Sequence, residues 1–153
     1  MRNIKLIVAY DGFAYHGWQI QSPDLPTVQG VIKSAIQHVV RHPIILHGTS
    51  RTDAGVHAAG QVANFKTESV LPAERIRLAV NSRCPPAIVI RDAADVAEDF
   101  HAGFKVKSKL YRYRIYNASD RPVELVNKCF HYWRDLDVAK MNQAAGVLIG
   151  RHD

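Results

Sequence analysis

The chain has 153 residues, 47% of them apolar, with 20 Lys and Arg against 14 Asp and Glu for a formal net charge of +6. A chain of this length buries roughly two thirds of its unfolded surface, so it can hold a core without disulfides or metal. No run approaches the roughly 20 apolar residues of a membrane helix. The basic excess favours a polyanionic partner, although +6 also lies within the range of about 2 to 8 that simply keeps a small domain soluble.

The opening "MRNIKLIVAY" mixes charged and apolar residues too finely for a signal peptide. Cys84 and Cys129 stand far apart, with no second cysteine or histidine at ligand spacing, which gives neither a disulfide framework nor a zinc site. These features read as a soluble, cytoplasmic protein without a metal and without a membrane partner.

In chain order, "IKLIVAYDG" is a largely buried strand stopped by the Asp11-Gly12 turn. Thr27 can cap a helix in which Val28, Val31, Ile32, Ala35, Ile36, Val39 and Val40 recur at helical spacing, and Pro43 ends it. "IILHG" is a second strand, "TSRTDAGVHAAG" a loop and "QVANFKT" a third strand. Pro72 opens a short helix over "AERIRLAVNSR", Pro85-Pro86 breaks it, and "AIVIRDAADV" is a fourth strand. "KLYRYRIYN" is a fifth strand, with Leu110, Arg112, Arg114 and Tyr116 on one face and Tyr111, Tyr113 and Ile115 on the other. "KCFHYW" is a sixth, and Asp137 caps a last helix whose pattern runs to Gly150. The order β-α-β-β-α-β-β-β-α lacks sustained βαβα alternation, which points to an α+β fold: an antiparallel or mixed sheet with helices on one face.

The loop "HGTSRTDAGVHAAGQ" carries the densest chemistry. Gly48, Gly55 and Gly60 permit unusual backbone angles and a close ligand approach. Asp53 is open to two readings. An aspartate two residues before a glycine is ordinary turn chemistry, which leaves Arg51 a solvated cation and His57 a strand-edge residue. Alternatively, Asp53 is an ionised carboxylate held in a concave site by backbone N–H groups and nearby cations, able to act as nucleophile or base. Tyr10, Asp11 and Gly12 are placed to form the floor under this loop. Trp18 reads as a packed aromatic near a turn. Lys105, Lys107, Lys109, Arg112 and Arg114 alternate with Tyr111 and Tyr113, the basic and aromatic interleaving that RNA-binding surfaces offer to phosphates and bases, so binding there is expected to be salt-sensitive. Arg75 and Arg77 read as a solvated helix face, and no histidine has companions at metal-ligand spacing.

Taken together and in order, "YDGFAYHGWQIQ", "TVQGVI", "SRTDAGVHAAGQVANF", "DFHAGF" and "KLYRYRIYN" resemble the N-terminal half of the TruA-type tRNA pseudouridine synthases. "RTDAGVHA" is the most specific block. The resemblance covers nearly the whole chain and implies a ferredoxin-like (RRM-like) half of the pseudouridine synthase fold, with residues 1–153 as one α/β catalytic N-terminal domain and the family's second half absent. It implies isomerisation of uridine to pseudouridine in the anticodon stem-loop of tRNA, at positions 38, 39 and 40, by base extrusion and attack by an aspartate. Asp53 is then catalytic, Arg51 enters the space left by the displaced base, and Tyr111 stacks on the uracil. Thr52, His57, Lys109 and Arg112 complete the RNA-binding set. No cofactor is implied, the partner is tRNA, and the full-length family member is a homodimer. The family's second half supplies a basic residue for the aspartate and part of the uracil-binding wall, so this chain alone is expected to be impaired. Two positions depart from the pattern: Gly103 stands where arginine is common in "FHARF", and Ser50 where glycine is frequent. Two other classes remain in view. One is a non-catalytic RNA-binding module in which Asp53 only shapes a turn. The other is a carboxylate glycoside hydrolase or nucleosidase, which lacks an evident second carboxylate.

Overall fold

The computed structural model describes residues 1–104 and 106–152. It divides into two compact units, Met1–Lys109 and Leu110–Asp153.

The first unit contains β1 (Arg2–Tyr10), α1 (Val28–Val40), β2 (Leu46–Gly48), β3 (Ala58–Thr67), α2 (Ala73–Asn81) and β4 (Ile88–Val96). The strands form one antiparallel sheet in the order β2-β3-β1-β4. With the βαββαβ chain order, this is the expected ferredoxin-like half.

Alternation along β1 sorts the two faces. Ile4, Leu6, Val8 and Tyr10 point to the helices, where Phe65, Ala63, Ile90 and Ile88 join them from the neighbouring strands. The helical stripe Val28, Ile32, Ile36 and Val40 of α1 and the pair Ile76 and Val80 of α2 close this core, and all six are buried. Each such side chain contributes about 1.5–3 kcal/mol by leaving water.

Thr27 caps α1 as expected, its Oγ1 accepting from the N–H of Gly30 at 3.3 Å. The helix ends at Arg41 in the left-handed region (φ 64°), whose N–H donates to the Gln37 carbonyl.

The opposite face of the sheet carries Asn3, Lys5 and Ile7 of β1, Asn64 of β3 and His47 of β2. Asn3 and Asn64 are each 2% exposed although they are polar. They bind the segment after β4, which crosses this face. Asn3 Nδ2 donates to the carbonyls of Ala97 at 3.0 Å and Phe100 at 2.9 Å; Asn64 Nδ2 donates to Asn3 Oδ1 at 3.0 Å; and the N–H of Ala102 donates to Asn64 Oδ1 at 2.8 Å. The ordinary cost of burying amides is thereby offset.

The second unit contains β5 (Ile115–Asn117), β6 (Phe130–Tyr132) and α3 (Val138–Ala145), with short 3₁₀ turns at Val123–Leu125 and Gly146–Leu148. Here the expectations need correcting. Only the last three residues of "KLYRYRIYN" form a strand, pairing in parallel with β6, while 110–114 are irregular. A strand needs a neighbour for its backbone groups, and the three-residue β6 reaches no further than Ile115. The basic and aromatic alternation therefore does not become two faces of a sheet. The final helix stops at Ala145 rather than Gly150; its Asp137 cap is as expected, with Oδ1 accepting from the N–H of Lys140 at 3.0 Å. None of the described residues of this unit is buried.

Replacing Phe65, fully buried at the centre of the first unit, is expected to expose the dependence on that core. Phe65→Ala should lower the unfolding free energy by about 3–5 kcal/mol in urea titrations; a loss below about 1 kcal/mol would show that the core is centred elsewhere.

Candidate active site

The loop of residues 49–57 joins β2 to β3 across the sheet end where β1 finishes. Its roots are tied to β3. The backbone N–H of Thr49 donates to the Val62 carbonyl at 2.9 Å, Thr49 Oγ1 donates to the same carbonyl at 3.0 Å, and Gln61 Nε2 donates to the Ser50 carbonyl at 2.6 Å. β3 begins at Ala58, three residues earlier than its sequence pattern indicates, and the register with β1 shifts between Val8 and Tyr10. Such an irregularity bends the strand and re-aims the chain at its end, here where the loop enters.

The loop's centre rests on the turn that follows β1. The N–H of Trp18 donates to the Thr52 carbonyl at 3.0 Å, and the N–H of Gly55 donates to the Tyr15 carbonyl at 3.2 Å. Between these two anchors lies Asp53, whose carbonyl accepts from the N–H of Val56 at 3.2 Å. Its backbone is thus fixed on both sides while its side chain is exposed, as is that of Arg51.

Tyr10 and Asp11 supply the floor. Tyr10, 4% exposed, has its hydroxyl 2.8 Å from Thr52 Oγ1. Burial raises the Tyr10 pKa above that of an ordinary phenol, against a smaller lowering by the Thr52 bond, so the hydroxyl keeps its proton. Asp11 Oδ1 lies 3.1 Å from His57 Nδ1 and accepts from the N–H of Phe13 at 3.1 Å. Gly12 admits no side chain, since a Cβ would run into the Val56 carbonyl. Trp18, 2% exposed, is a core residue, tilted against Tyr10 with ring centroids 6.0 Å apart.

Arg51, Thr52, Asp53 and His57 therefore share one loop, Thr52 joined to Tyr10 and His57 to Asp11. Of the three glycines expected to take unusual angles, only Gly55 does so (φ 80°); Gly48 is instead small because the Trp18 indole lies against it. The sequence signal missed Gly17, which has φ 83° and packs its Cα against Thr52 and Asp53. Its marker is the "HGW" turn between two aromatics, recognisable only once the loop's partner is known. Lys109 closes the first unit on an exposed, irregular stretch. Tyr111 and Arg112 belong to the second unit, exposed on the irregular segment before β5. Lys105 lies outside the described residues. Among the described residues no group of three or more His, Cys, Asp or Glu could hold a metal ion, and no helix is long and apolar enough to cross a membrane.

The fold and loop together give a ferredoxin-like sheet that presents a backbone-anchored aspartate at its end. Residues 6–105 match the family model described as tRNA pseudouridine synthase. Over all 153 residues the chain is 48% identical to tRNA pseudouridine synthase A of Caldicellulosiruptor saccharolyticus and 46% identical to that of Acetivibrio thermocellus. It is 44% identical to tRNA pseudouridine synthase A 2 of Clostridium perfringens. The chain spans 62% of the length of each of these relatives. It belongs to the tRNA pseudouridine synthase family.

Gly17→Ala tests the anchoring. The left-handed backbone costs a residue with a Cβ about 1–2 kcal/mol, and the added carbon would also strike the Thr52 carbonyl. Urea unfolding should show a loss of at least about 1 kcal/mol, with amide shifts of Thr52 and Asp53 in NMR spectra; unchanged spectra would disprove the contact.

His47, on the open face of β2, gives a pH test. Burial, and secondarily the nearby His101, hold its pKa below 6.5. A folded value below the unfolded one means that the neutral ring's contribution to stability is fully present above the unfolded pKa and is lost as pH falls through the folded pKa. NMR titration should give His47 a midpoint below 6.5; a midpoint above that would contradict its burial.

Proposed function

We propose that this protein supplies the catalytic half of an enzyme that converts uridine to pseudouridine in tRNA, in the anticodon stem-loop at positions 38, 39 and 40. The observation that carries the reading is Asp53: an exposed carboxylate whose backbone is anchored at Thr52 and Gly55, on a chain that belongs to this family. In the reaction the bond between ribose C1′ and uracil N1 breaks, the uracil turns, C1′ bonds to C5, the C5 proton leaves and N1 takes up a proton. The number of atoms in the nucleoside is unchanged, so no cofactor is required.

Asp53 serves the step in which the glycosidic bond is exchanged, as nucleophile or base. The uracil must first leave its helix, at a cost of a few kcal/mol that stacking and phosphate contacts offset. Arg51, two residues from Asp53, enters the space vacated by the base, and Tyr111 stacks on the extruded uracil. Thr52 is the link through which Tyr10 holds the loop. His57, Lys109 and Arg112 contact the RNA. The rest of the family's length completes the cleft with a basic residue opposite Asp53 and a wall for the uracil, so residues 1–153 act as a catalytic N-terminal domain that is impaired by itself. The working enzyme is a cytoplasmic homodimer.

Release of tritium from tRNA carrying [5-³H]uridine measures the reaction directly. In the complete enzyme, Asp53→Asn and Asp53→Ala should each abolish release while tRNA binding persists. Turnover at the unsubstituted rate would overturn the assignment. An unsubstituted enzyme that binds tRNA and releases no tritium would be an RNA-binding module in which Asp53 only shapes a turn.

A further inference from the structure

The segment held by Asn3 and Asn64 ends in two rings, His101 and Phe104, that line up with His47 of β2. Crossing the open face from β4 past β1 and β3, it delivers His101 to β2, where its ring centroid lies 4.5 Å from that of His47. Phe104 then turns back over His101, 4.3 Å away and inclined by 26°. The turn is tight: the N–H of Gly103 donates to His101 Nδ1 at 3.1 Å, and a Cβ on Gly103 would stand 3.3 Å from the imidazole. Phe104 itself is 86% exposed.

A phenyl ring so exposed contributes little to the core, yet its root is fixed by buried amides. His47 and His101 also border a cavity of about 350 Å³ that reaches Gln29, Ser50 and Arg51. Its lining includes the Arg51 cation and no carboxylate, so it favours an anion over a cation. His47 is kept toward its neutral form by burial and by His101, which suits stacking. An aromatic platform beside a cationic, carboxylate-free cavity is the combination that single-stranded nucleotides use, base on ring and phosphate beside the charge.

We propose that Phe104, backed by His101 and His47, is a second nucleotide site: a base of the RNA other than the reacting uridine stacks on the exposed face of Phe104, and the adjoining carboxylate-free cavity bordered by His47 and His101 admits its sugar and phosphate. The site rests on the reading of this protein as an RNA-modifying enzyme. Its rings lie at the face of the sheet that carries His47, whereas Asp53 lies on the loop at the sheet's end, and the cavity borders that loop at Thr49, Ser50 and Arg51. The volume of about 350 Å³ is ample for one nucleotide's sugar and phosphate, and Phe104, stacked on the cavity-lining His101, takes any base, since every base has a π-face. The site therefore adds affinity and orientation without selecting sequence.

The test is the affinity of the complete protein for dye-labelled tRNA, by fluorescence anisotropy at one fixed salt concentration, for the unsubstituted protein, Phe104→Ala and Phe104→Trp. Phe104→Ala should bind about tenfold more weakly, the equivalent of one base–aromatic stack of about 1.4 kcal/mol. Phe104→Trp should bind within about twofold of the unsubstituted protein, because its ring also stacks. Both should melt at the unsubstituted temperature, since the side chain is exposed. Phe104→Ala binding as tightly as the unsubstituted protein would overturn the site alone and assign the ring to a protein contact. A weakening that Phe104→Trp shares equally would overturn it too, since a ring would not be what matters. An unsubstituted protein with no affinity for tRNA would instead overturn the functional reading, and this site with it.

Discussion

The arrangement depends on two backbone hydrogen bonds, Trp18 N–H to the Thr52 carbonyl and Gly55 N–H to the Tyr15 carbonyl. They dock the loop of residues 49–57 onto the turn that leaves β1, and they bracket Asp53. A surface loop ordinarily moves freely because its backbone groups are satisfied by water. Here the backbone is bound to protein on both sides, so the Asp53 main chain is held before any ligand arrives. Gly17 and Gly12 allow the approach that the bonds require, and the Tyr10 hydroxyl adds a side-chain tie to Thr52.

The two units are held together by different means. Met1–Lys109 has a conventional core between sheet and helices. Leu110–Asp153 has no buried residue among those described, and Trp133, Val138 and Leu148 are exposed at 62%, 63% and 76%. A helix of the length of α3 is marginal by propensity alone. The chain spans 62% of the length of its relatives, and the proposed activity belongs to the complete enzyme.

The sequence made the first unit legible because its signals are local. Val28 to Val40 repeat at helical spacing, Thr27 precedes them, and Ile4, Leu6 and Val8 alternate along β1. The family was legible through "RTDAGVHA" and its companion blocks, and the match over residues 6–105 bears that resemblance out. What escaped was long-range. Asn3 and Asn64 are polar residues in strands and would be read as facing water, yet a segment almost forty residues after Asn64 covers them. Gly17 could not be recognised until Thr52 was known to lie against it. The pattern in "KLYRYRIYN" is a strand pattern, but pairing depends on a neighbour, and β6 pairs only with Ile115–Asn117. Alternation reports a preference for a pleated surface rather than the presence of one.

The central claim is that the loop is held in place by protein before RNA binds, and amide hydrogen exchange of the RNA-free protein tests it most directly. The Trp18 and Gly55 amides should exchange together and slowly, at rates approaching those of the paired residues in β3. Exchange of either amide at the rate of an unstructured peptide would contradict the account, because Asp53 would then be carried by a mobile loop.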